Sequence, residues 1–190
     1  MYKRQAYNPQ AIIEQTSQFD FYDGGGLDAS FLGLAQTDAH GNVNVSKFNG
    51  RPVGCGGFVN ITRATRKLVF CGTFTAGGLK VAVEGGQLQI LNEGQVRKFI
   101  DQVEQITFNG SDAARREQDV LFVTERAVFR LRADGLELTE VAPGIDIERD
   151  ILAHMAFRPH MPNVRLMDAD IFKPRWGGLA AALHLSLIHI

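Results

Sequence analysis

A chain of 190 residues with 20 basic and 21 acidic side chains, and a formal charge of −1, has no surplus of positive charge to neutralise a phosphate backbone, so nucleic acid is not an expected partner. Hydrophobic residues at 45% and charged residues at 22% describe an ordinary globular domain rather than a disordered or membrane chain, and no apolar run reaches the roughly 18 to 20 residues of a membrane helix. The length suits one domain with its own core. Its two cysteines, Cys55 and Cys71, are not spaced for metal or redox work, which leads us to expect free thiols in a cytoplasmic protein.

In chain order, Asn8-Pro9 followed by Gln10-Ala11-Ile12-Ile13-Glu14-Gln15 reads as a helix start, with a cap residue and proline at the first helical position. Next comes Phe19-Asp20-Phe21-Tyr22-Asp23-Gly24-Gly25-Gly26-Leu27-Asp28, an aromatic, acidic stretch ending in a bare backbone corner. Residues 31–36 read as a buried strand and 43–46 as a half-exposed one. Residues 48–58, holding Gly54-Cys55-Gly56-Gly57, form an ordered loop with a second bare corner. Lys67-Leu68-Val69-Phe70-Cys71-Gly72-Thr73 is almost wholly apolar, as for a central strand covered on both faces. Residues 79–91 alternate across Glu84-Gly85-Gly86 as a hairpin. Further strands are expected over 103–108, 120–124, 127–131 and 136–141, and then a helix over 146–154 capped by Asp146. An extended tail follows.

The two ends look foreign to this domain. With GTG read as a start codon, Met1-Tyr2-Lys3-Arg4-Gln5 can be encoded by GTG-TAT-AAG-AGA-CAG, and Leu185-Ser186-Leu187-Ile188-His189 by CTG-TCT-CTT-ATA-CAC, the reverse complement of the first. Inverted copies of one DNA sequence match a transposon end used in sequencing libraries. Residues 1–5 and 185–190 are therefore expected to be translated adapter, with the domain in residues 6–184 and its natural start upstream.

No residue pattern defines a reaction. Asp20, Asp23 and Asp28 do not follow a calcium-loop spacing and suit turns and caps, so no metal is expected. His40, His154 and His160 stand apart from any nucleophile. Neither glycine corner fits a nucleotide-binding pattern, and Cys55 between glycines reads as a small packing residue.

The order of motifs says more. Residues 18–28 followed by Phe31-Leu32-Gly33-Leu34-Ala35-Gln36, then Gly41-Asn42-Val43-Asn44-Val45-Ser46, Gly54-Cys55-Gly56-Gly57-Phe58, residues 70–79, Thr124-Glu125-Arg126-Ala127-Val128-Phe129 and Ala142-Pro143-Gly144-Ile145-Asp146 closely resemble the C-terminal half of the family I CoA-transferases. The likeness is to the single-chain acetate and 3-oxoacid type, and it covers about residues 8–172. It implies an α/β fold with a mixed, largely parallel sheet flanked by helices, incomplete at its N-terminal side.

The resemblance also implies a chemistry. A glutamate attacks an acyl-CoA thioester to give a mixed anhydride, CoA thiolate attacks the glutamyl carbonyl, and an acceptor carboxylate then collects the CoA. Coenzyme A is a substrate rather than a resident cofactor, small carboxylates are the other partners, and the parent is a homo-oligomer of short-chain fatty acid or ketone body metabolism. The family's glutamate stands in a Glu-x-Gly-x-x-Gly-Gly setting that this chain lacks. Glu14, Glu84 and Glu125 do not match it, so no catalytic residue is carried over and the chain by itself is expected to be inactive. Gly54, Gly56 and Gly57, with Asn44, are carried over as CoA-binding residues. An acyl-CoA hydrolase on the same scaffold, or a CoA-binding module without catalysis, are the rival readings.

Overall fold

The computed structural model describes residues 8–173; the expectations for residues 1–5 and 185–190 lie outside that range. Six strands hydrogen-bond in the spatial order Ala29–Gly33, Lys67–Cys71, Asp119–Val123, Ala127–Arg132, Gly135–Val141 and Arg165–Leu166. The first three run parallel, with Ala29 opposite Lys67 and Lys67 opposite Asp119. The next two fold back as an antiparallel meander, and Arg165–Leu166 returns parallel to its neighbour. The sheet is mixed with parallel pairings in the majority, and helices pack on it, as the resemblance implies.

Three short α-helices accompany the sheet: α1, Gln15–Asp23; α2, Phe58–Ala64; and α3, Gly110–Arg115. α2 and α3 are the crossovers that the parallel pairing demands. Their Phe58 and Ala113 join Leu68, Phe70, Val120 and Phe122 in one core. Phe70 anchors it, with ring centroids 5.8, 5.1 and 5.2 Å from Phe58, Phe108 and Phe122. A second aromatic row stacks Phe99 between Phe74 at 4.6 Å and Phe129 at 4.9 Å.

Several elements depart from the sequence reading. Leu68 and Phe70 are buried, but Lys67 and Cys71 on the opposite face are exposed, so the apolar 67–71 strand is covered on one side only. The first helix begins at Gln15 rather than Pro9. There Phe19 and Tyr22, one turn apart, set their rings edge to face at 5.5 Å, and Gly24 closes the helix by donating to the Asp20 carbonyl. Residues 103–108 form no strand. They lay Val103 and Phe108 into the core with a single bridge from Phe108 to Val43, and Asn109 behind them caps α3 by accepting from the Asp112 amide at 2.9 Å. Asp146 does cap the next turn, accepting from the Arg149 amide at 2.8 Å, but Ile147–Ile151 is a π turn followed by a 3-10 turn. The cause is local: the Asp150 carbonyl is drawn to Arg126 Nη1 at 2.8 Å, and its carboxylate folds back on the Asp146 amide at 2.9 Å.

The hairpin Lys80–Glu84 with Gln87–Asn92 forms as read, and Gly85 and Gly86 at its tip take φ of 59° and 77°. It stands apart from the main sheet, fastened where the Leu88 amide donates to the Pro143 carbonyl at 2.7 Å. No described helix is long and apolar enough to cross a membrane.

Candidate functional site

In open α/β sheets, ligands collect at the carboxyl ends of the parallel strands, where the loops leave the sheet. Here those ends are Gly33, Cys71 and Val123. The long excursion from residue 34 to residue 57 leaves from the first of them. It closes with the Gly54–Gly57 corner at the start of α2, whose C-terminal end lies at the opposite end of the sheet, where Thr65 bonds Ser30.

Gly54 and Gly56 occupy the left-handed region, at φ of 83° and 53°, and a Cβ on either would meet nothing within 4 Å. The amides of Gly56 and Gly57 donate to no backbone carbonyl among the described residues. This corner forms one lip of a cleft of about 230 Å³, with Gln105, Ile106 and Thr107 as the other lip. Bare amides beside a cleft are the elements from which a protein builds an oxyanion or phosphate contact.

Gly57 differs from its neighbours. A Cβ there would fall 2.7 Å from the ring of Phe19, so this glycine lets α1 pack against α2. The two glycine corners are thereby linked, and Asn60 in α2 donates to both oxygens of Asp23 at 3.1 and 3.0 Å. Asn44 is fully buried behind the cleft. Its amide donates to Gln36 Oε1 and to the Lys47 carbonyl, both at 2.6 Å, while its Oδ1 accepts from the amides of Ser46 and Lys47 at 3.0 and 3.1 Å. It shapes the loop that brings Ser46 to the cleft, where the Ser46 and Thr107 hydroxyls meet at 2.7 Å. Cys55 is exposed rather than packed, because the corner turns its side chain outward. Cys71 is also free and exposed, with its thiol pKa pushed up by partial burial.

A charged cluster that the sequence did not suggest lies just past the carboxyl end of Asp119–Val123, among residues that do not line the cleft. The Arg126 side chain has no exposed surface, yet it bonds Glu93 and Glu125 at 2.6 Å each and places its guanidinium 4.9 Å from the centre of the Phe74 ring. Burial works against the Arg126 cation, and the two carboxylates outweigh it, raising its pKa. Burial likewise acts against Glu93, but hydrogen bonds from Arg126, Thr75 and the Gly94 amide hold its pKa below the ordinary carboxylate value. Glu125 also accepts from the Phe74 amide at 2.8 Å. Lys98 fastens two strand ends, donating to the Leu34 carbonyl at 3.0 Å and the Thr73 hydroxyl at 3.3 Å; burial lowers its pKa, and the charge of Glu125 opposes that. The one advance signal was Thr124-Glu125-Arg126 at the tight connection between two strands, where a side chain is forced beneath the loops.

The three glutamates weighed for catalysis are scattered. Glu14 sits at the N-terminal boundary of α1, Glu84 at the hairpin tip, and Glu125 is committed to Arg126 and Phe74. The Asp28 carbonyl accepts from the Lys67 amide at the start of the sheet. Among the described residues, no three His, Cys, Asp or Glu side chains gather as a metal site.

Sequence and fold together make this chain a relative of the family I CoA-transferases, homologous to one part of them. Acetate CoA-transferase YdiF of Escherichia coli K12 is 52% identical over 166 residues, taking in 87% of this chain and 31% of that protein. Caffeate CoA-transferase of Acetobacterium woodii is 46% identical over 180 residues, 92% of this chain and 34% of that protein. The crystal structure of acyl-CoA transferase YdiF from E. coli O157:H7, as apoenzyme, matches with a TM-score of 0.88 at 50% identity over 90% of this chain and 34% of that one; the same enzyme is known as a thioester complex with CoA. The chain thus spans about a third of the length of these relatives. No family model matches it.

Proposed function

We propose that this chain is part of a CoA-transferase that moves CoA from a short-chain acyl-CoA to a carboxylate, acetate or a 3-oxoacid, through a glutamyl-CoA thioester whose glutamate lies outside residues 8–173. The observation that carries the reading is a glycine corner in which Gly54 lines a cleft and the amides of Gly56 and Gly57 donate to no backbone carbonyl among the described residues, in a chain half identical to an acetate CoA-transferase.

In this reading the chain's residues bind and position. The amides of Gly56 and Gly57 donate to oxygen as negative charge develops on an attacked carbonyl, the missing side chains allow close approach, and Asn44 holds the loop. The glutamate carboxylate attacks the thioester carbonyl and CoA thiolate leaves. The thiolate then attacks the glutamyl carbonyl of the anhydride and expels the donor carboxylate. The acceptor runs the same two steps in reverse order, regenerating the glutamate.

The test is a chimera in which residues 8–173 replace the matching segment of the E. coli acetate CoA-transferase. It is expected to exchange labelled acetate with acetyl-CoA, whereas the 190-residue chain alone gives no exchange. Exchange by the isolated chain would overturn its inactivity, and a chimera that releases acetate from acetyl-CoA without exchange would favour a hydrolase. Gly54→Ala in the chimera is expected to cost about 1 to 2 kcal/mol of stability from its left-handed backbone, and to lower exchange at least tenfold; unchanged exchange would remove the corner from the site.

A further inference from the structure

The hairpin of Lys80–Glu84 and Gln87–Asn92 has one occupied edge and one free edge. On the Gln87–Asn92 side the Leu88 amide donates to the Pro143 carbonyl, and Gly144 lies so close that a Cβ on it would fall 2.7 Å from the Leu88 carbonyl oxygen. Lys80–Glu84 has no strand beyond it among the described residues.

Antiparallel pairs alternate between residues that bond each other and residues whose amide and carbonyl point outward. The Leu88 amide leaves the hairpin for Pro143, so Leu88 and the opposite Val83 form an outward pair, and Val81, two residues away, repeats it. The outward amides and carbonyls of Val81 and Val83 meet no backbone partner among the described residues. Their side chains are 40% and 48% exposed, at the rim of the cluster in which Leu88 packs with Ala142, Met167 and Phe172. Proteins blunt such an edge with proline or a central lysine. Here the charges stand at the ends, both exposed, and the middle is Val-Ala-Val.

Lys80-Val81-Ala82-Val83-Glu84 is complementary to itself. When a second copy is turned about a two-fold axis beside Ala82, Val81 meets the other copy's Val83, and their outward groups bond each other. In the same register Lys80 meets Glu84 at both ends of the contact. A one-residue slip turns the valines to the wrong face, and a two-residue slip separates the charges. We propose that Lys80–Glu84 is a docking edge for a second copy of this chain, joined antiparallel about Ala82 into one continuous sheet. The contact is isologous and closes on itself, and the far edge of each hairpin is already held at Pro143, so no third copy adds. The pairing does not depend on the CoA-transferase chemistry. A strand of 5 residues makes a small interface, so the association is reversible.

Sedimentation of the 190-residue chain is expected to show monomer and dimer exchanging with concentration. Lys80→Glu and Glu84→Lys each set like charges opposite one another and are expected to weaken the dimer by about tenfold or more. Combined, they restore opposite charges, and the affinity is expected to return to within about threefold of the parent. Inside the hairpin these positions face only Asn92 and Gln87, so the reversals leave folding alone. A chain that stays monomeric, or a dimer indifferent to the reversals, overturns the proposal. A second measurement reads the register: Ala82→Cys, combined with Cys55→Ser and Cys71→Ser, is treated with oxidised glutathione. Opposed residues that do not exchange bonds lie about 4.5 Å apart at Cα, within disulfide reach, so a covalent dimer is expected to form about tenfold faster than with Glu84→Cys on the same background. Equal rates, as from aggregation through another surface, overturn the proposal.

Discussion

Arg126→Ala is expected to cost about 3 to 5 kcal/mol, the usual penalty for stripping one partner from a buried ion pair, and so to remove much or all of the stability of a domain this size. The guanidinium is fully buried and faces Glu93 and Glu125, whose side chains are mostly covered. Without it, two carboxylates are left desolvated and opposed to each other, and the Asp150 carbonyl loses its donor. Urea unfolding checks this, and a loss under 1 kcal/mol would contradict it. Removing the charges together, as Arg126→Met with Glu93→Gln and Glu125→Gln, is expected to recover part of the loss, because the unpaired groups carry most of it.

The same cluster sets the acid limit. Glu93 titrates below its ordinary value of 4.5 because Arg126, Thr75 and Gly94 favour its anion over the cost of burial. Asp150 titrates below 3.8, mainly through its hydrogen bond from Arg149. For carboxyls with depressed folded values, the contribution is complete above the unfolded values and is lost as pH falls through the folded ones. Stability therefore falls below about pH 4.5, and Glu93→Gln lessens that slope.

Phe70→Ala is the other large effect, with an expected loss of about 3 to 5 kcal/mol. Phe70 is fully buried and its ring touches three others, from α2, from the 103–108 segment and from the next strand. These come from distant parts of the chain and cannot close over the cavity together. A Tm within a few degrees of the parent would mean that the core collapses around the gap.

The sheet was legible where apolar periodicity and turn residues agreed. The strands near 67–71, 119–123, 127–132 and 135–141 and the hairpin at Gly85-Gly86 fall close to their expected places. Periodicity failed where tertiary contacts decide. Val103 and Phe108 read as strand, but the sheet supplies no slot for them. Nor does an apolar run reveal whether its second face is covered, as the exposed Lys67 and Cys71 show. At the site, the glycine corner was legible because positive φ leaves a composition signature. The Glu93–Arg126–Glu125 cluster was not, because it joins residues 33 apart whose approach depends on the loops over the sheet.

The division of the sheet into a parallel and an antiparallel half also bears on how the chain acquires its structure. From Asp119 to Val141, neighbours in sequence are neighbours in space, and two tight connections close that meander. Contacts of this kind form early. Ala29–Gly33 pairs with Lys67–Cys71, and that strand in turn with Asp119–Val123, each only after a loop of several dozen residues has closed. During synthesis Ala29–Gly33 is thus made well before the sheet that secures it is complete. Phe31 and its neighbours wait in solution until the meander has left the ribosome, and in that interval association with other nascent chains competes with correct pairing.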